Sequence, residues 1–381
     1  MSNFFLTRRA ALAGTAAWLA AGAARAEPGV SAGELLIGQS IALQGGSNRY
    51  GTEVLAGIRT QLDEVNRAGG VHGRRLVLKT LDDENKADRA EANARTLVDG
   101  GAFLLFGSIE GGPSNAVMKV ALEAKVPFFG PMAGSPTLRR PHQALVYPVR
   151  AEHREEFRAL IRYGAGVGLK RVGFFHSDSE VGRLHLANVR LAAQEAGVEF
   201  AAALPFKPEV DDAGLDALVA TLAAQRVDMV LNHGSSGLYE RLIRRARAAG
   251  SHATFLAVNS GSTQLAEALG PLAQGMVFSQ VVPSPWARRS AITREYQDAF
   301  TRARPGTGYS YGSLEGYVTA KALVQALRLA GPQPTRASLA KALDGATLDL
   351  GGLRARYRAG EHLGSEFVDL AMVSRDGRFV Q

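Results

Sequence analysis

Hydrophobic and polar positions follow a regular rhythm along the chain from Leu35 onward. Short runs rich in β-branched and aromatic residues are separated by longer amphipathic stretches. This alternation is typical of parallel strands joined by helical crossovers, so the sequence predicts an α/β fold. The predicted strands form two sets of similar spacing, which suggests two similar lobes. The first set is residues 35–41, 75–81, 103–106, 127–129 and 145–149, and the second is 171–176, 200–205, 229–232, 254–258 and 276–282.

The stretches between the strands predict helices whose ends carry ordinary start and stop residues. Glycines follow two of them, at Gly69 and Gly250, and Thr335 can cap a short helix near the C-terminus. The tail predicts two strands and a turn at Asp376-Gly377, and it is able to return the chain to an earlier lobe. The predicted helices include residues 52–68, 88–98, 237–249, 288–303 and 314–329, and the tail strands are residues 353–357 and 368–373.

Length and composition fit a folded protein with two compact units. The chain has 381 residues, more than the roughly 250 to 300 at which one hydrophobic core stops growing. Its hydrophobic fraction of 46% and charged fraction of 21% exclude a disordered chain and a polytopic membrane protein. Cysteine is absent, which excludes disulfides, cysteine-ligated metals and thiol nucleophiles.

Residues 1–26 have the pattern of a secretory signal peptide. Arg8-Arg9 precedes an uncharged run rich in Ala and Leu, and Ala24-Arg25-Ala26 offers small residues at both positions that a signal peptidase reads. The paired arginines resemble a twin-arginine export signal, and the general secretory route stays open. Since no Cys follows, we expect a mature periplasmic chain without a membrane anchor. Three positive charges lie in this leader, so the net charge of +8 does not indicate nucleic-acid binding.

Other motifs point to catalysis or metal binding only weakly. Residues 308–312 fit the Gly-x-Ser-x-Gly pattern of a serine esterase, with Ser310, Asp349 and His362 in the expected order, but a polar loop stands where an apolar strand is needed. The glycines of residues 164–168 precede a strand and do not follow one, which argues against a dinucleotide site. The eight histidines lack metal-ligand spacing. We therefore expect no enzyme, cofactor or metal, with a serine esterase as a remote alternative.

Loops rich in Gly, Ser and Asn follow many of the predicted strands. In an open α/β sheet this edge is where ligands bind, because N–H groups of loops and helix starts point there. Six loops across two lobes would face one cleft, although ordinary strand-to-helix turns favour the same residue types. They are residues 44–50, 107–115, 132–136, 177–182, 233–237 and 259–262.

Several of these segments resemble a known family. They are Leu36-Ile37-Gly38, Tyr50-Gly51, residues 63–74, Asp82-Asp83-Glu84, Gly107, residues 126–131, Ala133, Pro136 and residues 247–250. Together they resemble the leucine/isoleucine/valine-type periplasmic binding proteins, over essentially the whole mature chain. That family supplies the solute-binding component of ABC importers. The resemblance implies two Rossmann-like lobes with parallel sheets, three hinge crossovers and a ligand buried by hinge closure.

The resemblance also implies domain limits and ligand contacts. Lobe 1 would comprise residues 28–149 and 280–352, and lobe 2 would comprise residues 150–279 and 353–381. Tyr311, like Tyr50, is a candidate for an aromatic contact with the ligand. The contacts implied by position are Tyr50, Ser108, Ile109, Glu110, Gly111, Gly112, Met132, Ala133, Gly134, Ser135, Ser177, Asp178, Val181, Ser235 and Asn259.

Three positions depart from the leucine-binding pattern. Leucine binders have a serine where Gly111 stands, a threonine where Gly134 stands and an acidic residue where Asn259 stands. Backbone N–H groups of Gly111 and Gly112 can still hold an anion, but a desolvated ammonium needs an acidic partner. Glu110 is a candidate substitute for the missing acid, and a free α-amino acid becomes a less favoured ligand.

The sequence therefore predicts a periplasmic solute-binding protein that captures a small polar or carboxylated organic solute, of the amino-acid-like class, by hinge closure. Its partners would be that solute and the permease subunits of an ABC transporter. A ligand sensor that signals through a membrane receptor is the alternative.

Overall fold

The structure is a computed structural model that describes residues 27–45, 48–207 and 209–380. The predicted signal peptide lies outside these described residues. Within them the chain forms fifteen strands, eleven α-helices and two short 3₁₀ helices, at Pro136–Leu138 and Gly270–Ala273. None of the helices in the described ranges is long and apolar enough to cross a membrane.

Five parallel strands form the first sheet, in the order β2-β1-β3-β4-β5. Because parallel strands need crossover connections, helices lie between most of them, and the carboxyl ends of the strands meet at one edge. The strands are β1 (Glu34–Ile41), β2 (Arg75–Asp82), β3 (Leu104–Phe106), β4 (Phe128–Phe129) and β5 (Val146–Tyr147), and the helices are α1 (Asn48–Arg67), α2 (Ala87–Asp99) and α3 (Gly111–Glu123).

The second sheet has seven strands: β6 to β10, and the tail strands β14 (Asp369–Val373) and β15 (Phe379–Val380). Their order is β15-β14-β10-β9-β8-β6-β7. Five of these strands run parallel to one another. The two strands from the C-terminal tail join one edge of the sheet in antiparallel pairing. The parallel strands are β6 (Arg171–Ser177), β7 (Glu199–Phe206), β8 (Met229–His233), β9 (Thr254–Ala257) and β10 (Val277–Gln280). The helices are α4 (His153–Gly166), α5 (Glu180–Glu195), α6 (Asp212–Ala224), α7 (Ser236–Ala248) and α8 (Ser262–Leu269).

Three further helices pack with the core of the first sheet: α9 (Ala291–Ala303), α10 (Tyr311–Leu329) and α11 (Arg336–Leu343). Helix α10 is buried over most of its length and runs against α1. The two backbones approach so closely that a Cβ atom on Gly57 would clash with the carbonyl oxygen of Ser313. Glycine is therefore needed at this crossing for lack of space.

Ser310, the nucleophile of the remote esterase alternative, caps helix α10. Its hydroxyl accepts a hydrogen bond of 3.1 Å from the Ser313 N–H and lies 2.9 Å from the Ser313 hydroxyl. His362 Nδ1 lies 2.8 Å from the carbonyl oxygen of Val146, and Asp349 accepts from a backbone N–H two residues on. Among the described residues, no hydrogen bond joins any two of the three proposed triad members.

The tail is divided between the two lobes. A small antiparallel sheet, β11 (Thr347–Asp349), β12 (Arg354–Arg358) and β13 (Glu361–Gly364), packs with the first lobe, and β14 (Asp369–Val373) and β15 (Phe379–Val380) join the second sheet. The predicted assignment of residues 353–381 to lobe 2 is therefore wrong for residues 353–364. The reason is Tyr357, which is buried against Phe129 and Tyr147 of the first lobe.

The chain passes between the lobes three times, as predicted. It crosses after β5, after β10 and between β13 and β14. Because the lobes are linked by three short segments and each sheet has its own core cluster, a hinge between them is the expected mode of motion.

Candidate ligand-binding cleft

A cleft of about 790 Å³ lies between the lobes, at the carboxyl edges of both sheets. Both lobes contribute to its walls. Its lining residues are Asn85, Glu110, Gly111, Gly112, Pro113, Asn115 and Ala133 from the first lobe, and His153, Ser177, Ser179, Val181, Phe206, Asn232, His233, Gly234, Ser235, Ser236, Gly237, Leu238, Arg241, Ala257, Val258, Ser260 and Leu265 from the second. This is the size and place expected of a site for a small organic molecule.

The structure places some of the predicted site residues on this cleft and others behind it. Those on the cleft are Glu110, Gly111, Gly112, Ala133, Ser177, Val181 and Ser235. Those outside its lining are Tyr50, Ser108, Ile109, Met132, Gly134, Ser135, Asp178, Asn259 and Tyr311. The predicted loops therefore reach this cleft, but several of their side chains face the protein interior.

The residues of the first lobe that lie behind the cleft hold its loops in place. Ser108 is fully buried, with its hydroxyl 2.7 Å from that of Ser114 at the start of α3. Met132 and Ile109 are fully buried and join their loops by a β-bridge. The Ser135 hydroxyl lies 2.7 Å from that of Thr137. These contacts order the loops that carry the cleft wall.

Gly134 and Asp178 have other roles. A Cβ atom on Gly134 would lie 2.5 Å from the imidazole ring of His153, so the absence of a side chain there makes room for that ring. Asp178 is exposed and forms an ion pair of 3.3 Å with Arg183. His153, which fills the space at Gly134, lines the cleft in its place.

Tyr50 and Asn259 meet at a buried carboxylate between the lobes. The Tyr50 hydroxyl donates to Glu315 Oε2 at 2.7 Å, and Asn259 Nδ2 donates to the same oxygen at 3.0 Å. Tyr50 and Glu315 belong to the first lobe, and Asn259 lies in the loop that follows β9 of the second. Tyr311 lies nearby, 3% exposed, with its ring 5.3 Å from that of Trp286. These residues join the lobes and do not line the cleft.

Arg150 and Glu156 extend this contact into a buried network. Arg150 contacts Glu156 and approaches Glu315 at 3.8 Å. Glu156 Oε1 also accepts from the Ser279 hydroxyl at 2.8 Å and from the Asn259 N–H at 3.2 Å, and Glu156 Oε2 lies 2.6 Å from His153 Nδ1. We call Tyr50, Arg150, His153, Glu156, Asn259, Ser279 and Glu315 the interlobe network.

The two carboxyl groups of the interlobe network differ in pKa. Burial acts to raise the pKa of Glu156, but the positive charge of Arg150 and the contact with His153 outweigh it and lower that pKa to about 2. Burial raises the pKa of Glu315, and Arg150 offsets this only in part. Glu156 is therefore the charged partner of Arg150, while Glu315 acts mainly as a hydrogen-bond acceptor between the lobes.

Three imidazole rings form a cluster in the second lobe beside the cleft. The ring centroids of His185 and His233 are 3.9 Å apart, and those of His153 lie 5.3 and 5.9 Å from them. Burial first, and then the neighbouring His153 and His176, lower the pKa of His233 to about 3. Burial also lowers the pKa of His185 well below its ordinary value. His185 and His233 are therefore uncharged at neutral pH.

The described part of the chain contains no group of three or more His, Asp or Glu side chains placed to hold a metal ion. Within the imidazole cluster, the packed rings of His185 and His233 are uncharged.

Helices α3, α5 and α7 each begin at a loop that lines the cleft. Ser179 caps α5 and Ser235 caps α7, each accepting a hydrogen bond from a backbone N–H of the first turn. Helix α3 begins after Glu110 and has no side-chain cap. Its first residues, Gly111 and Gly112, line the cleft, so their end of the helix presents backbone N–H groups and a partial positive charge to any solute there.

Sequence reasoning missed several side chains that line the cleft. Asn232 and His233 are the last two residues of β8, and Phe206 is the last residue of β7. His233 lies in the predicted cleft loop 233–237 but was not among the predicted contacts. Counting the final strand residues along with the loops would have found Asn232 and Phe206, since strand ends lie at the same sheet edge. His153 begins helix α4, and Arg241 lies in the second turn of α7, four residues after the predicted loop 233–237; no local signal marks either as a cleft residue.

Comparisons with known proteins agree with this arrangement. The family model for periplasmic binding proteins matches residues 34–378. The Leu/Ile/Val-binding protein homolog 3 of Brucella melitensis biotype 1 is 24% identical over 319 residues, which are 81% of this chain and 83% of that protein.

Solved structures agree as well. A possible leucine/isoleucine/valine-binding protein from Rhodopirellula baltica SH 1 has a TM-score of 0.82 and 26% identity, covering 92% of this chain and 97% of that one. A substrate-binding periplasmic protein from Ralstonia solanacearum has a TM-score of 0.80 and 25% identity, covering 91% of this chain and 99% of that one. The fold, the cleft and these matches lead to one conclusion: this chain belongs to the periplasmic binding protein family.

Proposed function

We propose that this protein is the solute-binding component of an ABC importer. It closes two lobes around a small polar or carboxylated organic solute in the periplasm and presents the closed form to permease subunits in the membrane. The observation that carries the proposal is the cleft of about 790 Å³ that both lobes line, between halves joined by three chain segments.

The lining favours a solute with an anionic or polar group. The N-terminus of α3 offers the backbone N–H groups of Gly111 and Gly112, and α5 and α7 direct two more helix starts at the same space. Binding at micromolar affinity requires about 8 kcal/mol. A few hydrogen bonds made in a closed, water-free cleft, with apolar contact from Phe206 or Val181, supply energy of that order.

A branched-chain amino acid fits the lining less well than other solutes. Asn259 stands where leucine binders have an acid, and its amide donates to Glu315. Among the described residues that line the cleft, Glu110 is the only carboxylate, and it lies in the first lobe. An ammonium group facing the second lobe would be desolvated without an acidic partner, at a cost of several kcal/mol.

The experiment is mass spectrometry of small molecules released from protein purified natively from the periplasm, followed by thermal-shift titration with the compounds found. Each true ligand should raise the melting temperature as its concentration passes its dissociation constant. Gly112→Asp tests the site, because a Cβ atom there meets nothing within 4 Å and an acid suits the first turn of a helix. We expect this variant to fold normally and to lose the shift given by a carboxylated solute.

Gly112→Ala is the matched control, since it adds the Cβ atom without the charge. It should retain most of the shift. Loss of the shift in both variants would indicate a steric effect, and an equal shift in both would place the anion elsewhere. Absence of any released or added solute that stabilises the protein would refute the proposed function.

A further inference from the structure

One imidazole in the cleft wall has only one of its two nitrogens bound by the protein. His153, the first residue of α4, lines the cleft with a side chain that is 9% exposed. Its Nδ1 atom lies 2.6 Å from Glu156 Oε2. In the described part of the chain, Nε2 has no hydrogen-bond partner, yet it retains solvent contact, unlike both ring nitrogens of His185, which are sealed in. The surface that Nε2 faces is therefore the cleft.

The opposite edge of the His153 ring is held by the protein. A Cβ atom on Gly134 would lie 2.5 Å from both Cγ and Nδ1 of the ring, so this edge packs on the Gly134 backbone. The His153 N–H also donates to the Gly134 carbonyl oxygen at 3.0 Å. In an imidazole, Nε2 lies directly opposite the Cγ–Nδ1 bond. The ring therefore points Nε2 away from the contacts that fix it.

This nitrogen lies at the same end of the cleft as the start of helix α3. Ser135 follows Gly134 in the chain, and a Cβ atom on Gly111 would lie 4.0 Å from Ser135 Cβ. One short segment, residues 133–135, thus has the His153 ring on one side and the first turn of α3 on the other. The backbone N–H groups of that turn and His153 Nε2 border one end of the cleft, from opposite lobes.

Glu156 determines which nitrogen of His153 carries a proton. Burial acts to raise the pKa of Glu156, but Arg150 and His153 outweigh it and lower that pKa to about 2, so the carboxyl group is ionised at neutral pH. An ionised carboxylate 2.6 Å from Nδ1 requires an N–H there. In the uncharged ring, Nε2 is then a lone-pair acceptor, which repels a carboxylate. Only the imidazolium donates at both ends, to Glu156 and to an acidic group in the cleft.

Several titratable and charged groups face His153. They are Glu156 on its own helix, Arg150 and the Glu152–Arg140 pair beside the helix start, His185 on α5, His233 on β8 and Glu110 across the cleft. The two neighbouring rings are uncharged at neutral pH. Arg150 already contacts Glu156, so a solute carboxylate would give the imidazolium an anionic partner of its own.

We propose that His153 donates from Nε2 to an acidic group of the solute, and that the cleft binds this solute together with one proton. His153 is then a specificity residue, which favours a carboxylate over the matching carboxamide more strongly as the pH falls. The proposal rests on the proposed function, because it requires that the cleft binds a solute.

Isothermal titration calorimetry on the mature chain tests the proposal. The probes are benzoate, 4-methylpentanoate and succinate, each compared with its primary amide. We expect the dissociation constant of whichever carboxylate binds to rise about fivefold or more from pH 7 to pH 8.5, because the complex contains a proton that is scarcer at the higher pH. Titrations in buffers of different ionisation enthalpy should show proton uptake for the carboxylate and none for its amide.

His153→Gln separates the charge of the side chain from its ability to donate a hydrogen bond. A glutamine amide donates but does not titrate, so proton uptake and the pH dependence of carboxylate binding should disappear in this variant. His153→Leu should in addition weaken carboxylate binding at pH 7 about tenfold or more. His252→Gln, at an exposed histidine outside the cleft lining, is the matched control and should keep both the uptake and the pH dependence.

The outcomes separate this proposal from the proposed function. A carboxylate that binds without proton uptake, or whose uptake persists in His153→Gln, overturns the role of His153 and leaves the proposed function intact. If only a solute released from natively purified protein binds, it takes the place of the probes, and the lack of an acidic group in it overturns the role. If no solute binds, both proposals fail. Should His153→Gln not fold, ¹⁵N NMR of the histidine-labelled, unmodified protein decides, since both ring nitrogens of His153 should carry protons in the complex.

Discussion

The buried imidazoles of the second lobe predict that the protein loses stability on mild acidification. His233 has a folded pKa of about 3, against an ordinary value of 6.5, because of burial and its imidazole neighbours. Between these values the unfolded chain binds a proton that the folded chain does not. Lowering the pH through this window therefore favours unfolding, and the stability present above pH 6.5 is lost progressively toward pH 3.

The magnitude follows from the two pKa values. For His233 alone, the loss between pH 7 and pH 4.5 is about 2.5 kcal/mol, since one pKa unit corresponds to about 1.4 kcal/mol. His185 shifts in the same direction and adds to the loss. Glu156, with a folded pKa of about 2, loses its contribution mainly below its ordinary value of 4.5. The buried Glu315 carboxyl, whose pKa is raised, acts in the opposite direction in this window, so the imidazole contribution is isolated by comparing variants.

The assay is urea unfolding at several pH values, read by the tryptophan fluorescence and circular dichroism of the ligand-free protein. His185→Leu removes one buried titrating ring with little change in volume, and its free energy of unfolding should depend less on pH than that of the unmodified protein. His252→Leu, at an exposed histidine, is the control and should keep the full dependence. A change below 1 kcal/mol between pH 7 and pH 4.5, or the same slope in all three proteins, would refute the reasoning.

Three further predictions concern the scaffold and the hinge. Gly57→Ala should lower the free energy of unfolding by about 3 kcal/mol, because its Cβ atom would clash with a carbonyl oxygen of the facing helix. Gly166→Ala is the control: a Cβ atom there meets nothing within 4 Å, so this variant should be neutral or stabilising in the same urea titration. Glu110→Gly should stabilise the protein by about 1 kcal/mol, since a φ of 60° with a ψ of 152° is a conformation that only glycine adopts at low cost; a lower unfolding midpoint would contradict this. Glu315→Leu should destabilise the protein by about 3 kcal/mol or more, because Arg150 loses a buried partner and the interlobe hydrogen bonds are lost. It should also increase the radius of gyration in small-angle scattering. If neither the free energy of unfolding nor the radius of gyration changes, Glu315 does not hold the lobes together.

Much of the fold could be read from local patterns. Each of the ten strands predicted from the alternation overlaps an observed strand, and the glycine after α1 and the Thr335 cap of α11 stand where the helices end and begin. These features depend on neighbours within one or two turns of chain, so their signal is present in the sequence itself. The position of the cleft loops followed too, because parallel strands bring their carboxyl ends to one edge.

The tertiary structure decided which side chains reach the cleft. Asn259 belongs to a cleft loop, yet its amide meets Glu315, a residue of the other lobe and 56 positions away. His185 and His233 come from different elements and become one wall only when α5 packs beside β8. Tyr357 packs against Phe129 and Tyr147, which lie more than two hundred residues earlier, and these contacts place its strand in the first lobe. Local sequence fixes backbone periodicity, but the orientation of a side chain depends on which distant surfaces exclude water from it, and those surfaces exist only once the chain has folded.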